Sequence, residues 1–300
     1  MTVRGPDDYP RTDAEVPALL ADLGLPGIVD IHVHALPDRL QRAVWDYFDR
    51  LDDPPWPIRY RLPADDRLVA LRRAGVVSHT ALAYAHKPGM IAGLNDYTLD
   101  LADRYDQIVP TFTIYPEDGV GEVTAAAIAR GGAVVKVHLQ VGRFHATDPR
   151  LDEAWELIAA HRLPVVLHAT AVYGVDGGAE YCGIDAVRAL LDRHPDLVIV
   201  LAHLGMPELD EALDLAVGAD HVYLDTAMTL HDGELSPPTI PAYVDRLATH
   251  ADRIVFGSDF PSIPHDYAEQ VRGLAKLRLD DAALRRILHD TARELLDDRR

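Results

Sequence analysis

The feature that most constrains the fold is a repeated pair of patterns, in which a short apolar run is followed by an amphipathic helical segment. Most of the runs are continuously apolar, which is typical of parallel strands that are covered by helices. Eight such units in a chain of 300 residues predict a (β/α)8 TIM barrel of the α/β class, folded as a single domain. The predicted strands are 27–34, 76–83, 108–114, 133–138, 164–168, 197–203, 221–225 and 253–259.

An open, doubly wound sheet is the alternative fold. It is disfavoured because no Gly-X-Gly-X-X-Gly motif follows the first strand. We predict an N-terminal lead-in over residues 1–26 and a barrel over residues 27–300. A long helical and loop insertion follows strand one and is rich in aromatic residues. It caps the core, covers the site as a lid or forms a subunit contact as in a homodimer, and the sequence leaves these alternatives open.

Histidine and aspartate residues fall at the carboxyl ends of several predicted strands. His32 and His34 end strand one, His168 ends strand five, His203 ends strand six and Asp259 ends strand eight. Active sites of (β/α)8 barrels lie at this end of the barrel, so we expect these five side chains to converge.

The first strand carries two of these histidines in the sequence Asp30-Ile31-His32-Val33-His34. Alternate residues of a strand point to the same face, so we expect Asp30, His32 and His34 to share one. Two imidazoles on one face can bind one metal ion.

Three imidazoles and one carboxylate suit Zn²⁺, with Mn²⁺, Fe²⁺ or Co²⁺ as alternatives. Such a metal acts as a Lewis acid and lowers the pKa of a bound water to about 7. A metal that only stabilises the fold is the alternative role. His203 is not needed for this ligand set. Its presence favours a catalytic metal over a structural one, because it can act as an acid or base beside the metal.

These segments resemble the signature segments of the amidohydrolase superfamily. The resemblance rests on Asp30-Ile31-His32-Val33-His34, Val166-Leu167-His168, Leu201-Ala202-His203-Leu204-Gly205 and Phe256-Gly257-Ser258-Asp259-Phe260-Pro261. It is strongest for the amidohydrolase-related branch that contains aminocarboxymuconate-semialdehyde decarboxylase. It implies that one divalent metal is bound by His32, His34, His168 and Asp259. It also implies that His203 and Asp259 are catalytic.

The resemblance implies an enzyme, and our main prediction is a metal-dependent hydrolase. In that reaction a metal-bound hydroxide attacks an ester, lactone or amide carbonyl of a small substrate. The alternative is a metal-dependent decarboxylase (carboxy-lyase) of an unsaturated or aromatic carboxylic acid. A second alternative is a barrel that binds a metal or ligand without turnover.

Lys136 near the end of strand four leaves the number of metals open. In binuclear branches of the superfamily a carbamylated lysine at this place bridges two metals. We predict one metal, with Lys136 as a charge near the pocket. An unmodified, buried amine there would need a partner such as Asp30 or Asp225.

Residues in the loops after the strands are candidates for substrate binding. Arg143 can pair with a substrate carboxylate through two hydrogen bonds. The candidates are Lys136, Arg143, His145 and His265, together with His86, Lys87, Tyr115, Glu117, Tyr173 and Tyr181.

Charge and cysteine content limit the partners. The formal net charge of −19 argues against a nucleic-acid partner, since nucleic-acid-binding proteins usually carry a basic face. The single cysteine, Cys182, suits a reducing compartment. No signal peptide or bilayer-spanning apolar stretch is visible, so we predict a cytoplasmic protein that acts on a small molecule and not at a membrane.

Overall fold

The computed structural model describes residues 3–52, 55–171, 177–231 and 240–298. Short strands alternate with helices along most of this length. The strands are β1 (Ile28–Asp30), β2 (Val76–Thr80), β3 (Ile108–Val109), β4 (Thr111–Thr113), β5 (Val134–His138), β6 (Pro164–His168), β7 (Val198–Leu201), β8 (Val222–Asp225) and β9 (Ile254–Val255). Within the described ranges, no helix has the length and apolar character needed to cross a membrane.

The helices follow the strands in the order that the sequence pattern predicts. They are α1 (Val16–Asp22), α2 (Asp38–Phe48), α3 (Ala64–Arg73), α4 (Ile91–Arg104), α5 (Val120–Ala129), α6 (Leu139–Gly142), α7 (Asp152–Ala160), α8 (Ile184–Arg193), α9 (Leu209–Gly218), α10 (Val244–Thr249), α11 (Tyr267–Gly273), α12 (Asp281–Arg285) and α13 (Thr291–Asp297). Short 3-10 turns precede α7 and α10, and a π-helical turn joins α12 to α13.

The contacts divide the chain into two compact units, each built from separate segments. Unit 1 comprises Met1–His34, Asp38–His79 and Asp225–Arg293, and unit 2 comprises Ala35–Pro37, Thr80–Leu224 and Glu294–Arg300. The predicted division into a lead-in (residues 1–26) and a barrel (residues 27–300) does not correspond to these two units. It stays a prediction.

Unit 1 is organised around the parallel pair β1 and β2, in which Ile28 lies opposite Val76. Beyond β1 the chain continues beside the segment that follows β9. The Ile31 amide donates to the Phe256 carbonyl at 3.0 Å, and the His34 amide donates to the Phe260 carbonyl at 2.7 Å. These bonds place residues 31–34 along residues 256–260.

Unit 2 is organised around a parallel sheet in the order β4-β5-β6-β7-β8. The strands pair in register, with Val135 opposite Val165 and Val165 opposite Ile199. The side chains of β5 to β7 are almost fully buried and nearly all aliphatic, as expected of parallel strands that are covered on both faces. One charged residue, Lys136, lies in this apolar layer with no exposed surface.

Several predicted strands are longer than the observed ones. The predicted strand 27–34 ends at Asp30, and the predicted strand 197–203 ends at Leu201. The prediction that Asp30, His32 and His34 lie on one strand is therefore wrong, because both histidines follow the strand. Apolar runs do not show where a strand stops, since residues after the strand end are buried as well.

The predicted third strand, 108–114, is divided into β3 and β4 at Pro110. Proline has no backbone N–H, so it cannot donate to a neighbouring strand. The Pro110 carbonyl still accepts from the Ala133 amide at 2.8 Å, which keeps the backbone beside β5.

Aromatic residues of the insertion after β1 pack within unit 1. The Phe48 and Trp56 rings stack with their centroids 5.1 Å apart, and Trp56 Nε1 donates to the Ser262 carbonyl at 2.7 Å. The Tyr60 ring lies 4.8 Å from the Phe260 ring. This packing fits the interpretation that the insertion caps the core, whereas the homodimer stays a prediction.

Candidate active site

Unit 1 brings together three of the predicted metal ligands, His32, His34 and Asp259, which we call the unit 1 cluster. The Asp259 amide donates to the His32 carbonyl at 2.8 Å, and Val33 forms a parallel bridge with Phe260. These backbone contacts place the Asp259 side chain beside both histidine rings. Residues 227 positions apart in sequence are thereby brought into one cluster.

The donor atoms of this cluster have the spacing of ligands around one metal ion. Asp259 Oδ1 lies 3.4 Å from His32 Nε2 and 3.0 Å from His34 Nε2. Ligand atoms at about 2.1 Å from a metal, at angles between octahedral and tetrahedral, lie roughly 3.0–3.4 Å apart. Two imidazoles and a carboxylate are also ligand types that Zn²⁺, Mn²⁺ and Fe²⁺ accept. The residues therefore fit a divalent metal.

A carboxylate at the end of β8 holds the His32 ring. Asp225 Oδ2 lies 2.8 Å from His32 Nδ1, and both side chains are fully buried. Asp225 Oδ1 accepts from the Ala227 amide at 3.0 Å. The Asp225 carboxylate thus contacts Nδ1 of His32, and the other ring nitrogen, Nε2, faces Asp259.

A second buried carboxylate, Asp30, holds the backbone of the cluster. It accepts hydrogen bonds from the amides of His32 and Ser258 at 3.0 and 3.2 Å and from the Tyr267 hydroxyl at 2.9 Å. Burial raises the pKa of Asp30 to about 6, and these hydrogen bonds limit the rise. Asp30 therefore ties together the segments that carry His32 and Asp259.

Unit 2 holds a second group of histidines, His138, His168 and His203, which we call the unit 2 cluster. His203 Nε2 lies 3.1 Å from His168 Nδ1, so the two imidazoles can share one proton. The His138 ring stacks on the His168 ring with centroids 3.8 Å apart. His168 Nε2 lies 3.0 Å from the Thr170 hydroxyl. For His168 to bind a metal, one of its two ring nitrogens must exchange a present contact.

Two of the predicted catalytic residues have unusual backbone conformations. Asp259 has φ 64° and His203 has φ 57°, and Leu204 beside it has φ 53°. Residues other than glycine rarely adopt this left-handed conformation, which costs about 1–3 kcal/mol and clusters at functional sites. In both cases the strand ends before the residue, and the turn directs its side chain.

Lys136 lies in the middle of β5 and has no exposed surface. Its carbonyl accepts from the Thr113 hydroxyl at 2.8 Å, and Lys136 lies opposite Val166 of β6. Asp30 and Asp225 were suggested as partners of its amine. Asp30 accepts from the Tyr267 hydroxyl and Asp225 contacts the His32 ring. The number of metals and the role of Lys136 stay predictions.

The predicted substrate-binding residues have varied surroundings. Arg143 ends α6 at φ 55° and is exposed, and the exposed His145 packs its ring against Tyr181 at 4.8 Å. His265 accepts from the Gln270 amide and packs 4.6 Å from the His231 ring, and burial lowers its pKa. Tyr173 lies outside the described residues.

Sequence reasoning missed the residues that support the ligands. Asp225 was considered only as a partner for Lys136, although it ends an apolar run, the same signal that identified His168. Thr170 and Tyr267 carry no comparable signal, because a single hydroxyl in a loop or helix is common. Their roles follow from contacts that only the folded chain makes.

The family model described as amidohydrolase matches residues 29–297. Among proteins with curated descriptions, none matches the chain. A TIM-barrel protein of Bordetella bronchiseptica superposes with a TM-score of 0.74 at 19% identity, over 90% of this chain and 98% of that one. This likeness confirms the predicted (β/α)8 fold.

Two further solved structures with the same fold are decarboxylases. The 2,6-dihydroxybenzoate decarboxylase from Rhizobium has a TM-score of 0.63 at 18% identity, over 91% of this chain and 99% of that one. A dihydroxybenzoic acid decarboxylase from Polaromonas, with bound manganese and the inhibitor 2-nitroresorcinol, has a TM-score of 0.67 at 16% identity over 91% and 97%. Since the family model spans most of its length, this chain belongs to the amidohydrolase family.

Proposed function

We propose that this protein is a metal-dependent decarboxylase that removes CO2 from a small aromatic or unsaturated carboxylic acid. The sequence-based main prediction was hydrolysis, with decarboxylation as the alternative. The comparisons favour the alternative, because structures that cover nearly the whole chain include dihydroxybenzoate decarboxylases. The observation that carries an enzymatic role is the unit 1 cluster, whose two imidazole nitrogens and carboxylate oxygen have metal-ligand spacing.

His32, His34 and Asp259 are the proposed metal ligands from unit 1, and His168 is the proposed fourth. The sequence pattern carries the proposal for His168, because it ends a predicted strand and active sites of (β/α)8 barrels lie at the carboxyl ends of the strands. When bound, a divalent metal supplies Lewis-acid polarisation of the substrate oxygen atoms. Zn²⁺ was the first choice from the sequence, and Mn²⁺ is supported by its presence in the Polaromonas enzyme.

His203 is the proposed proton donor. In decarboxylation the bond between the carboxyl carbon and the substrate breaks, CO2 leaves, and the electron pair stays on the substrate carbon. That carbon must then receive a proton, which His203 delivers from its ring. The contact with His168 Nδ1 orients the donor, and its half-buried position leaves the ring open to solvent for reprotonation. Asp259 is the proposed partner in proton exchange.

Lys136, Arg143, His145 and His265 remain the candidates for substrate contact. Arg143 is the strongest of them for a carboxylate, because its guanidinium makes two parallel hydrogen bonds to such a group. Its exposed position at the end of α6 leaves it accessible to a ligand.

Isotope labelling distinguishes decarboxylation from hydrolysis. The metal-loaded protein is incubated with hydroxylated benzoates and unsaturated carboxylic acids in D2O, and with lactones and amides in ¹⁸O-labelled water. We expect CO2 release and one deuterium on the product carbon. Incorporation of ¹⁸O into a product carboxylate, without CO2, would instead establish hydrolysis. Metal binding without turnover of any compound would favour the binding-only alternative.

The metal content tests the role of Lys136. Elemental analysis of the reconstituted protein is expected to give one metal per chain, and removal of the metal by a chelator is expected to abolish turnover. Two equivalents per chain, with a mass increase for a carbamate on Lys136, would contradict the mononuclear proposal.

A further inference from the structure

We propose that Asp225 is a positioning residue that fixes the His32 ring in the tautomer required of a metal ligand. The inference rests on the proposed function, because it assigns a role to Asp225 in building the proposed metal site. Neither the family match nor the sequence pattern assigns Asp225 a role in the metal site.

The contacts of Asp225 determine which ring nitrogen carries the proton. A carboxylate only accepts hydrogen bonds, so Asp225 Oδ2 at 2.8 Å requires a proton on His32 Nδ1. In the neutral ring the lone pair is then on Nε2, the atom that lies 3.4 Å from Asp259 Oδ1. Two such lone pairs repel each other, and a cation between them removes the repulsion. Carboxylates that hold metal-binding histidines in this way raise metal affinity.

The second oxygen of Asp225 fixes the orientation of the carboxylate. Oδ1 accepts from the Ala227 amide at 3.0 Å, so rotation of the carboxylate out of this plane would weaken both this hydrogen bond and the contact with His32 Nδ1. The side chains of Asp225 and His32 have no exposed surface, so bulk solvent does not compete for this contact.

The packing around the pair leaves room for this contact only because residue 257 is glycine. A Cβ atom at Gly257 would lie 2.8 Å from His32 Cβ and 3.2 Å from Asp225 Cγ. The segment after β9, which carries Asp259, therefore closes directly over the Asp225–His32 pair.

The substitution Asp225→Asn tests the tautomer with little change in shape. If the amide oxygen keeps the Ala227 hydrogen bond, the NH2 group faces His32 Nδ1 and drives the proton to Nε2. If the amide flips, the NH2 group opposes the Ala227 amide, which is also a donor. Both arrangements weaken the metal site.

A matched control is Asp13→Asn in the same unit. Asp13 also accepts from one backbone amide, that of Ala268 at 2.8 Å, and from one side chain, the Tyr60 hydroxyl. Since a hydroxyl can accept from the new NH2 group, this variant keeps both contacts. It has no contact with His32.

Calorimetric titration of the metal-free proteins with Mn²⁺ measures the first consequence. We expect Asp225→Asn to weaken Mn²⁺ binding by about 10–100-fold, and Asp13→Asn to leave it within a factor of about three. Equal affinities for the wild type and Asp225→Asn would overturn the inference. If the wild-type protein binds no Mn²⁺ or Zn²⁺, the proposed function fails.

Nuclear magnetic resonance of the metal-free, ¹⁵N-histidine-labelled protein measures the tautomer directly. The His32 signal is identified by its absence in His32→Gln. We expect a proton on Nδ1 in the wild type and on Nε2 in Asp225→Asn. A proton on Nε2 in the wild type would contradict the inference even if the metal binds, so this result is independent of the proposed function and of the folding of Asp225→Asn.

Discussion

In the unit 1 cluster the histidine ring nitrogens face carboxylates, whereas in the unit 2 cluster one ring nitrogen faces another. His32 is held by Asp225 on one side and faces Asp259 on the other. His168 instead contacts the His203 ring, the His138 ring and Thr170. The same residue type therefore meets two different electrostatic environments.

This difference indicates a division of roles. Carboxylates that accept from imidazoles fix the tautomer and orientation of the rings, which suits metal ligands. An imidazole that contacts another imidazole has a proton that can move between the two rings, which suits acid–base chemistry. His203 is also only half-buried, whereas His32 is fully buried. His32 is thus held rigidly, and His203 is placed for proton exchange.

The largest expected effect is on the proton donor. We expect His203→Ala to lower kcat by about 10²–10⁴-fold, while the metal content stays close to that of the wild type. The matched control is His161→Ala, because the His161 ring contacts the Leu157 carbonyl one helical turn before it and, within the described part of the chain, makes no hydrogen bond to either histidine cluster. Steady-state kinetics and elemental analysis measure both quantities. Unchanged turnover in His203→Ala would remove His203 from the mechanism.

Cys182 reports on the loop that follows His168. Burial raises the pKa of this thiol to about 11. Relative to a free cysteine of pKa about 8.5, the thiolate fraction at pH 8 falls by about 10²-fold. We therefore expect slow reaction with a disulfide reagent at pH 8 and a rise in rate as the pH approaches 11. The unfolded protein in urea is the control. Rapid reaction of the folded protein at pH 8 would show that the loop opens readily.

The close packing of the unit 1 cluster predicts a loss of stability in Gly257→Ala. The added Cβ meets His32 and Asp225, and such overpacking costs about 1–3 kcal/mol. Gly93→Ala is the matched control, because nothing lies within 4 Å of its added Cβ and alanine favours the α4 helix by about 0.5–1 kcal/mol. Urea unfolding measures the free energy of unfolding of each. A Gly257→Ala variant as stable as the wild type would show that the cluster can relax.

The smallest expected effect concerns the hydroxyl that contacts His168. Thr170→Val removes this hydrogen bond, which is worth about 1 kcal/mol, so kcat/KM is expected to fall by about fivefold. Thr124→Val is the control, because the buried Thr124 hydroxyl has no hydrogen-bond partner among the described residues. Its removal is expected to leave kcat/KM unchanged. A loss greater than 100-fold in Thr170→Val would mean that Thr170 does more than orient His168.

The order of strands and helices could be predicted because hydrophobic runs repeat along the chain. The segments that carry His32, His34 and Asp259 could be selected because polar residues at the end of a buried run are costly without a partner. The exact strand ends could not be predicted, since residues 31–33 are as buried as those of β1. The supporting roles of Asp225, Tyr267 and Thr170 could not be predicted either, because hydrogen bonds between distant segments leave no local sequence pattern.

The sequence alone determined the alternation of strands and helices and the chemical types of the candidate ligands, because both depend on local composition and spacing. The tertiary structure alone decided that His32 Nδ1 meets Asp225, that Asp259 reaches both His32 and His34, and that His203 contacts His168. Contacts across more than 30 residues depend on how the strands pair and where each turn directs its side chain, which no local sequence pattern specifies.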